Sequence, residues 1–416
     1  MTKIYRNDLI YGIAYALDCV EREVALVVPG HSKRVACIAA SMGRQLGYTH
    51  EDRMNLAACA ALHDNALSEY RHHRRLPEQT IPAEAFAADL GLHCTMGERN
   101  IARLSFADSV RGAVLYHHEN ADGSGPFGKT SAETPVFAQF IHLADTVDTA
   151  FDLSRMTADK HAHICAFVRE QTGILYGATA AQAFLSCVSR PEDIHLPTAQ
   201  LDTRLHKELP EICADYTPSA LMRLAGIFSK IIDYKSPFTS RHSQGIAEKA
   251  RRMGVYYGWD ADTQAQLYLA GAVHDVGKLM VNSDILEKPD KLTTEEYEHI
   301  QNHAYGSYVA LHNIRGFEEI GKWAYHHHEK LDGTGYPFGK TAHELSHKER
   351  LMACLDIYQA LREERPYKPG FSHEKTILIL SGMATQGKLD AQIVVDIDRC
   401  FSLNSEKNND TFTLST

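Results

Sequence analysis

The chain has 416 residues, enough for two or three domains at roughly 150 residues each. Its 44% hydrophobic and 23% charged content is that of a globular protein able to bury its own cores. With 53 acidic against 43 basic residues, the formal charge of −10 excludes a general nucleic-acid binder, which would carry a basic surface.

No basic stretch followed by an apolar core and a cleavage site opens the chain, and no apolar run approaches the roughly 18 residues of a membrane span. The nine cysteines stand singly, without a CxxC pair. The expectation is a reduced, cytoplasmic protein with neither a membrane nor DNA as partner.

From the N-terminus, apolar residues recur at helical spacing over Asp8 to Val24. A turn and a second helix follow, opening on His31 (GHSKRVACIAA). His63-Asp64, His93, His117-His118 and Asp145 come next, in a domain expected over 1–190. A polar connector is expected over 191–216, and Thr217-Pro218 marks a helix entry with proline at the first position. Ser219 to Tyr234 then repeats the pattern of Asp8 to Val24, and another helix opens on His242 (RHSQGIAEKA). Over Gln264 to Val276, Leu267, Ala270 and His274 share one helical face. This second domain is expected over 217–402, with a polar, disordered tail over 403–416. Few stretches alternate with period two, so the predicted fold is all-α, two tandem helical domains related by internal duplication.

The duplication is legible in the metal-ligand residue types. His31, His63, Asp64, His93, His117, His118 and Asp145 recur as His242, His274, Asp275, His303, His327, His328 and Asp356, each 210 or 211 positions later. One slip is the deletion of Tyr336 from the first copy of a Gly/Pro-rich loop; the other lies between Asp64 and His93. Seven such residues in repeated register are not a set of incidental core histidines.

Imidazole and carboxylate suit first-row divalent ions. Five histidines and two aspartates exceed one tetrahedral centre. They fit a two-metal site that generates hydroxide and clamps a phosphoryl group, which points to hydrolysis.

His274-Asp275 with the distant His242 and Asp356 resembles the HD superfamily of metal-dependent phosphohydrolases. His274-Asp275-Val276-Gly277-Lys278, His327-His328-Glu329, Asp332-Gly333, Gly335-Tyr336-Pro337 and Arg365-Pro366-Tyr367 together are similar to its HD-GYP subgroup. The resemblance covers about residues 219–400 in full and 8–190 in weaker form. It implies a bacterial signalling enzyme that hydrolyses a cyclic dinucleotide, cyclic di-GMP or 3'3'-cyclic GMP-AMP, on two divalent ions, iron or manganese. It further implies metal on the seven second-half residues with Asp275 bridging, and Lys278, Arg365, Lys368 and the Tyr336 loop facing substrate. Asp275 and Lys278 would carry the catalysis, and a diguanylate-cyclase-type or other signalling protein is the implied partner. Three-metal relatives carry a glutamate four residues before the first histidine; Phe238 and Val27 stand there, so two ions are expected.

The first copy keeps all seven ligand types, a second candidate metal site, but not the cations. Leu67 replaces Lys278, and Ser154 falls at the place of Arg365, with Arg155 one residue later. The expectation is a lobe that binds metal, does not turn over a cyclic dinucleotide, and serves as a stabilising or regulatory lobe or as the sensor. Two rival functions are a general nucleotide or phosphomonoester phosphohydrolase and a non-catalytic cyclic-dinucleotide scaffold. His343 to His347 matches HExxH, but follows directly on a Gly/Pro-rich loop and is not read as a peptidase site. His326 is read as packing or surface, His299 as surface, and Arg71 to Arg75 as a solvated loop.

Overall fold

A computed structural model describes residues 1–24, 27–74, 89–102, 107–209, 211–233, 242–286, 288, 290–364 and 369–402. The architecture is helical, two HD-like bundles in tandem, as the periodicity requires. The helices Arg6–Val24 and Pro218–Asp233 lead the two halves, and His31–Gln45 and His242–Tyr256 each open on the first histidine. Ends are set by side-chain caps: Thr49 accepts from the Asp52 amide, and Thr293 with Glu296 and Ser346 with Glu349 close reciprocal capping boxes.

The sequence reading missed one small sheet. Thr2–Tyr5 pairs antiparallel with Cys213–Tyr216, inside the segment expected as a polar connector. That segment also carries the helix Leu201–Glu208, whose Leu201 and Leu205 are buried and which packs on His31–Gln45. It is structured because these leucines have a core to enter. The stretch Arg71 to Arg74, expected as loop, ends the helix Leu67–Arg74; Arg75 and the 403–416 tail lie outside the described residues.

The leading helix Arg6–Val24 touches both halves, packing on His31–Gln45 and His50–Ala61 of its own and on Thr294–Leu311 and the Val276–Met280 turn of the other. The approach is close: a Cβ on Gly12 would lie 2.6 Å from the carbonyl oxygen of Ala310, so only glycine fits. Asp8 accepts from the Arg315 guanidinium at 2.6 Å, and that guanidinium lies 3.9 Å from the Tyr5 ring centroid.

Candidate metal centres

The second half brings all seven predicted ligands together. His242 starts its helix, His274 ends Ala261–Val273, His303 lies within Thr294–Leu311, His327-His328 follow Glu318–Tyr325, and Asp356 lies within His347–Arg362. The Nδ1 atoms of His274, His303 and His327 donate to the carbonyls of Gly271, Ile300 and Ala324, at 2.8, 2.6 and 2.7 Å. A carbonyl only accepts, so each ring is fixed with its Nε2 lone pair aimed inward. Asp275 stands between two groups. Its Oδ2 is 3.0 Å from His274 Nε2 and 3.8 Å from His242 Nε2, while Oδ1 is 3.3 Å from His303 Nε2 and 3.8 Å from His327 Nε2. Asp356 lies 3.2 Å from His242 Nε2 and 3.5 Å from His328 Nδ1.

Burial opposes the charge of both carboxylates, but the surrounding imidazoles, and Lys278 at Asp275, hold both carboxyls well below the usual range. Burial pushes the His328 imidazole down to about 3, leaving it a neutral ligand. His274 Nε2 and Asp275 Oδ1 are buried without hydrogen-bond partners among the described residues. Buried polar atoms are ordinarily satisfied, and a divalent cation among these donors would satisfy them.

Glutamates outside the predicted ligand set support the centres; Glu329 stood in the HD-GYP-like motif, whereas sequence reasoning gave Glu363 no role. Glu363 accepts from His242 Nδ1 at 2.9 Å. Glu329, 2% exposed, accepts from the Phe338 amide at 2.8 Å and the Lys340 amide at 2.9 Å, bracing the loop that holds Tyr336. Glu119 does the same in the first half for Phe127 and Lys129. Glu349 pairs with His326, which is buried packing, within the range of the sequence reading. HExxH is not on one helix: His347 begins its helix and His343 precedes it.

The first half also gathers its seven residues. His93 and His117 Nε2 lie 3.4 and 3.7 Å from Asp64 Oδ1, His63 Nε2 lies 3.6 Å from Asp64 Oδ2, and His31 Nε2 lies 3.3 Å from Asp145. His63 and His117 are again held through Nδ1, by Ala60 and Val114 carbonyls at 2.8 and 2.6 Å. Here Asp148, not a glutamate one turn further on, accepts from His31 Nδ1 at 2.7 Å. The Nε2 atoms of His63, His117 and His118 have no hydrogen-bond partner among the described residues. Two residues near this centre were passed over by the sequence reading, Cys94 and His142; they replace Ala304 and Ala353 of the second half.

The substrate-facing expectations divide. Lys278 sits in the Val276–Met280 turn with Nζ 2.6 Å from Asp275 Oδ2. The Tyr336 ring lies 4.7 Å from that of His328, and both line a cavity of about 470 Å³ with Tyr297, Asp356 and Phe371. Arg365 and Lys368 lie outside the described residues, though Glu363 and Pro369 beside them line that cavity. Phe238 is likewise outside. In the first half, Leu67 is fully buried core and Ser154 is bonded to Asp152, so neither place offers a cation.

A bundle of helices converging on histidine–aspartate pairs defines the HD class, and the HD domain family matches twice, over residues 226–393 and 28–150, more than half of the chain. The chain belongs to the HD family as a tandem of two HD domains, the second of the HD-GYP kind. It is 29% identical over 398 residues to the 3'3'-cGAMP-specific phosphodiesterase 1 of Vibrio cholerae, covering 93% of this chain and 90% of that protein. Phosphodiesterase 3 of the same name and organism is 30% identical over 69% of this chain and 62% of that protein. A cyclic di-GMP phosphodiesterase of Pseudomonas aeruginosa is 39% identical over 110 residues, 26% of this chain and 27% of that protein. A crystal structure of a cyclic GMP-AMP-specific phosphodiesterase of V. cholerae shares the fold, with a TM-score of 0.67 over 96% of this chain and 98% of that one, at 21% identity. HD domains are metal-dependent, and both halves contain His/Asp clusters suited to an ion. No helix among the described residues is long and apolar enough to cross a membrane.

Proposed function

We propose that the second domain is a metal-dependent phosphodiesterase that linearises a cyclic dinucleotide, and that the first is a metal-binding lobe without that turnover. The observation that carries this is the position of Asp275, shared between His303–His327–His328 on one side and His242–His274–Asp356 on the other, beside the 470 Å³ cavity. Two histidine groups around one carboxylate support two divalent ions, with iron or manganese suited to the nitrogen and oxygen donors. When bound, such ions supply an activated water and neutralise phosphate charge.

The chain's own residues do the rest. Backbone carbonyls hold the imidazoles in the tautomer that offers Nε2. Lys278 places a point charge beside Asp275, where a non-bridging phosphate oxygen would sit. The Tyr336 and Phe371 rings offer apolar faces on the cavity wall for purine bases. The named activities of the Vibrio relatives, of which the first spans nearly the whole chain, support the substrate class. Nine cysteines, none of them in a disulfide, support a reducing, cytoplasmic setting.

Metal-reconstituted protein should open 3'3'-cGAMP or cyclic di-GMP to the linear dinucleotide, with Lys278→Ala lowering kcat/KM at least about 10-fold, roughly 1.4 kcal/mol. Hydrolysis of phosphomonoesters with all cyclic dinucleotides left intact would favour the general phosphohydrolase instead.

A further inference from the structure

We propose that Cys94 is a thiolate ligand in the first-domain centre, so that this centre selects zinc while the thiol-free second centre takes a harder ion. This rests on the reading that the first domain binds metal. Cys94 directly follows His93 on the helix Leu90–Ile101 and is fully buried. Its Sγ lies 3.7 Å from His93 Nε2, the nitrogen that also stands 3.4 Å from Asp64 Oδ1. Ligands at about 2.1 Å (nitrogen) and about 2.3 Å (sulfur) around a tetrahedral zinc are separated by about 3.6 Å, so the thiol already sits at coordination spacing.

The other face of Sγ is 3.7 Å from His117 Nδ1, whose N–H points to the Val114 carbonyl at 2.6 Å. His117 is fully buried, and its Nε2 has no hydrogen-bond partner among the described residues and is turned toward Asp64. His142 adds an independent observation. It is 8% exposed, neither ring nitrogen has a hydrogen-bond partner among the described residues, and its ring lies 6.5 Å from that of His118. Both residues replace alanines of the second domain, Ala304 and Ala353, so the first centre has more sulfur and nitrogen around it. Soft thiolate favours zinc over manganese at otherwise similar sites. Binding deprotonates the thiol, and its proton leaves to solvent as the sulfur–metal bond forms.

The test uses the full chain carrying Asp275→Ala to silence the second centre, with Asp356→Ala in its place should that variant fail to fold. The purified apoprotein is reconstituted with cobalt(II), followed by metal content and absorption. Bound cobalt should give a thiolate-to-cobalt charge-transfer band in the near ultraviolet. The band should vanish with an added Cys94→Ala, which restores the second domain's residue, and persist with Cys59→Ala. Zinc should displace the cobalt, and Cys94→Ala should weaken zinc binding about 10-fold or more. Cobalt bound without the band, or a band that survives Cys94→Ala, would overturn thiolate ligation while leaving first-domain metal binding in place. A chain that retains no cobalt would overturn both.

Discussion

At the scale of single residues, the ligand set was legible because few side chains do this chemistry and the duplication repeats them in register. The supports were not. A lone glutamate has no signature in sequence, and Glu363 acquires its role only when its helix brings it to His242 Nδ1; Glu329 stood in a motif, but its hold on two backbone amides shows only in the fold. Cys94 was passed over for a similar reason, since a single cysteine reads as core until the fold places it against His93. Glu363 has a measurable consequence. Glu363→Gln keeps the size but weakens the acceptor that orients His242, so metal affinity, read by titration with a chelator indicator, should fall about 10- to 100-fold. Unchanged affinity would show that His242 is held without it.

At the scale of elements, the loop from Asp332 to Lys340 depends on a close backbone approach. A Cβ on Gly335 would lie 2.4 Å from the Lys330 amide nitrogen and 2.5 Å from Glu329 Cα, both parts of the rigid backbone. Gly335→Ala should therefore cost about 1–3 kcal/mol in thermal unfolding and raise KM as Tyr336 shifts; an unaltered KM would remove Tyr336 from the substrate site.

The helix His347–Arg362 carries Asp356 and is anchored at its start by Glu349, which closes the capping box and pairs with His326. Burial disfavours the Glu349 carboxylate, yet the His326 and Ser346 hydrogen bonds hold its pKa below the ordinary value. The folded value is thus depressed, and the stabilisation is complete above the unfolded value near about 4.3 and lost as pH falls through the folded one. His326→Ala should lower stability by about 3 kcal/mol at pH 7, and the gap to the parent should narrow below about pH 4. A gap independent of pH would mean that packing alone is lost. The helix starts were readable from spacing and caps. The Thr2–Tyr5 and Cys213–Tyr216 strands were not, because four residues carry little periodicity and their partners lie over 200 positions apart in sequence.

At the scale of the whole molecule, the two halves are tied through the N-terminal helix rather than strung on a flexible connector. Gly12 against Ala310 and Asp8 with Arg315 join the first residues to the second domain, and the two-stranded sheet joins them to the segment that leads into it. Gly12→Val should push that helix away from Thr294–Leu311, the helix bearing His303, and lower both the unfolding temperature and second-domain activity. Activity retained in full would make the junction merely structural.

The duplication itself poses the central question, since both copies keep ligands and only the second has Lys278, where the first buries Leu67. Single-turnover assays of metal-reconstituted protein on 3'3'-cGAMP and cyclic di-GMP, comparing Asp275→Ala with Asp64→Ala and resolving products by chromatography, address it most directly. Linear dinucleotide should disappear with Asp275→Ala and continue to form with Asp64→Ala. Full turnover by Asp275→Ala, or its loss only in Asp64→Ala, would contradict the assignment of catalysis to the second domain.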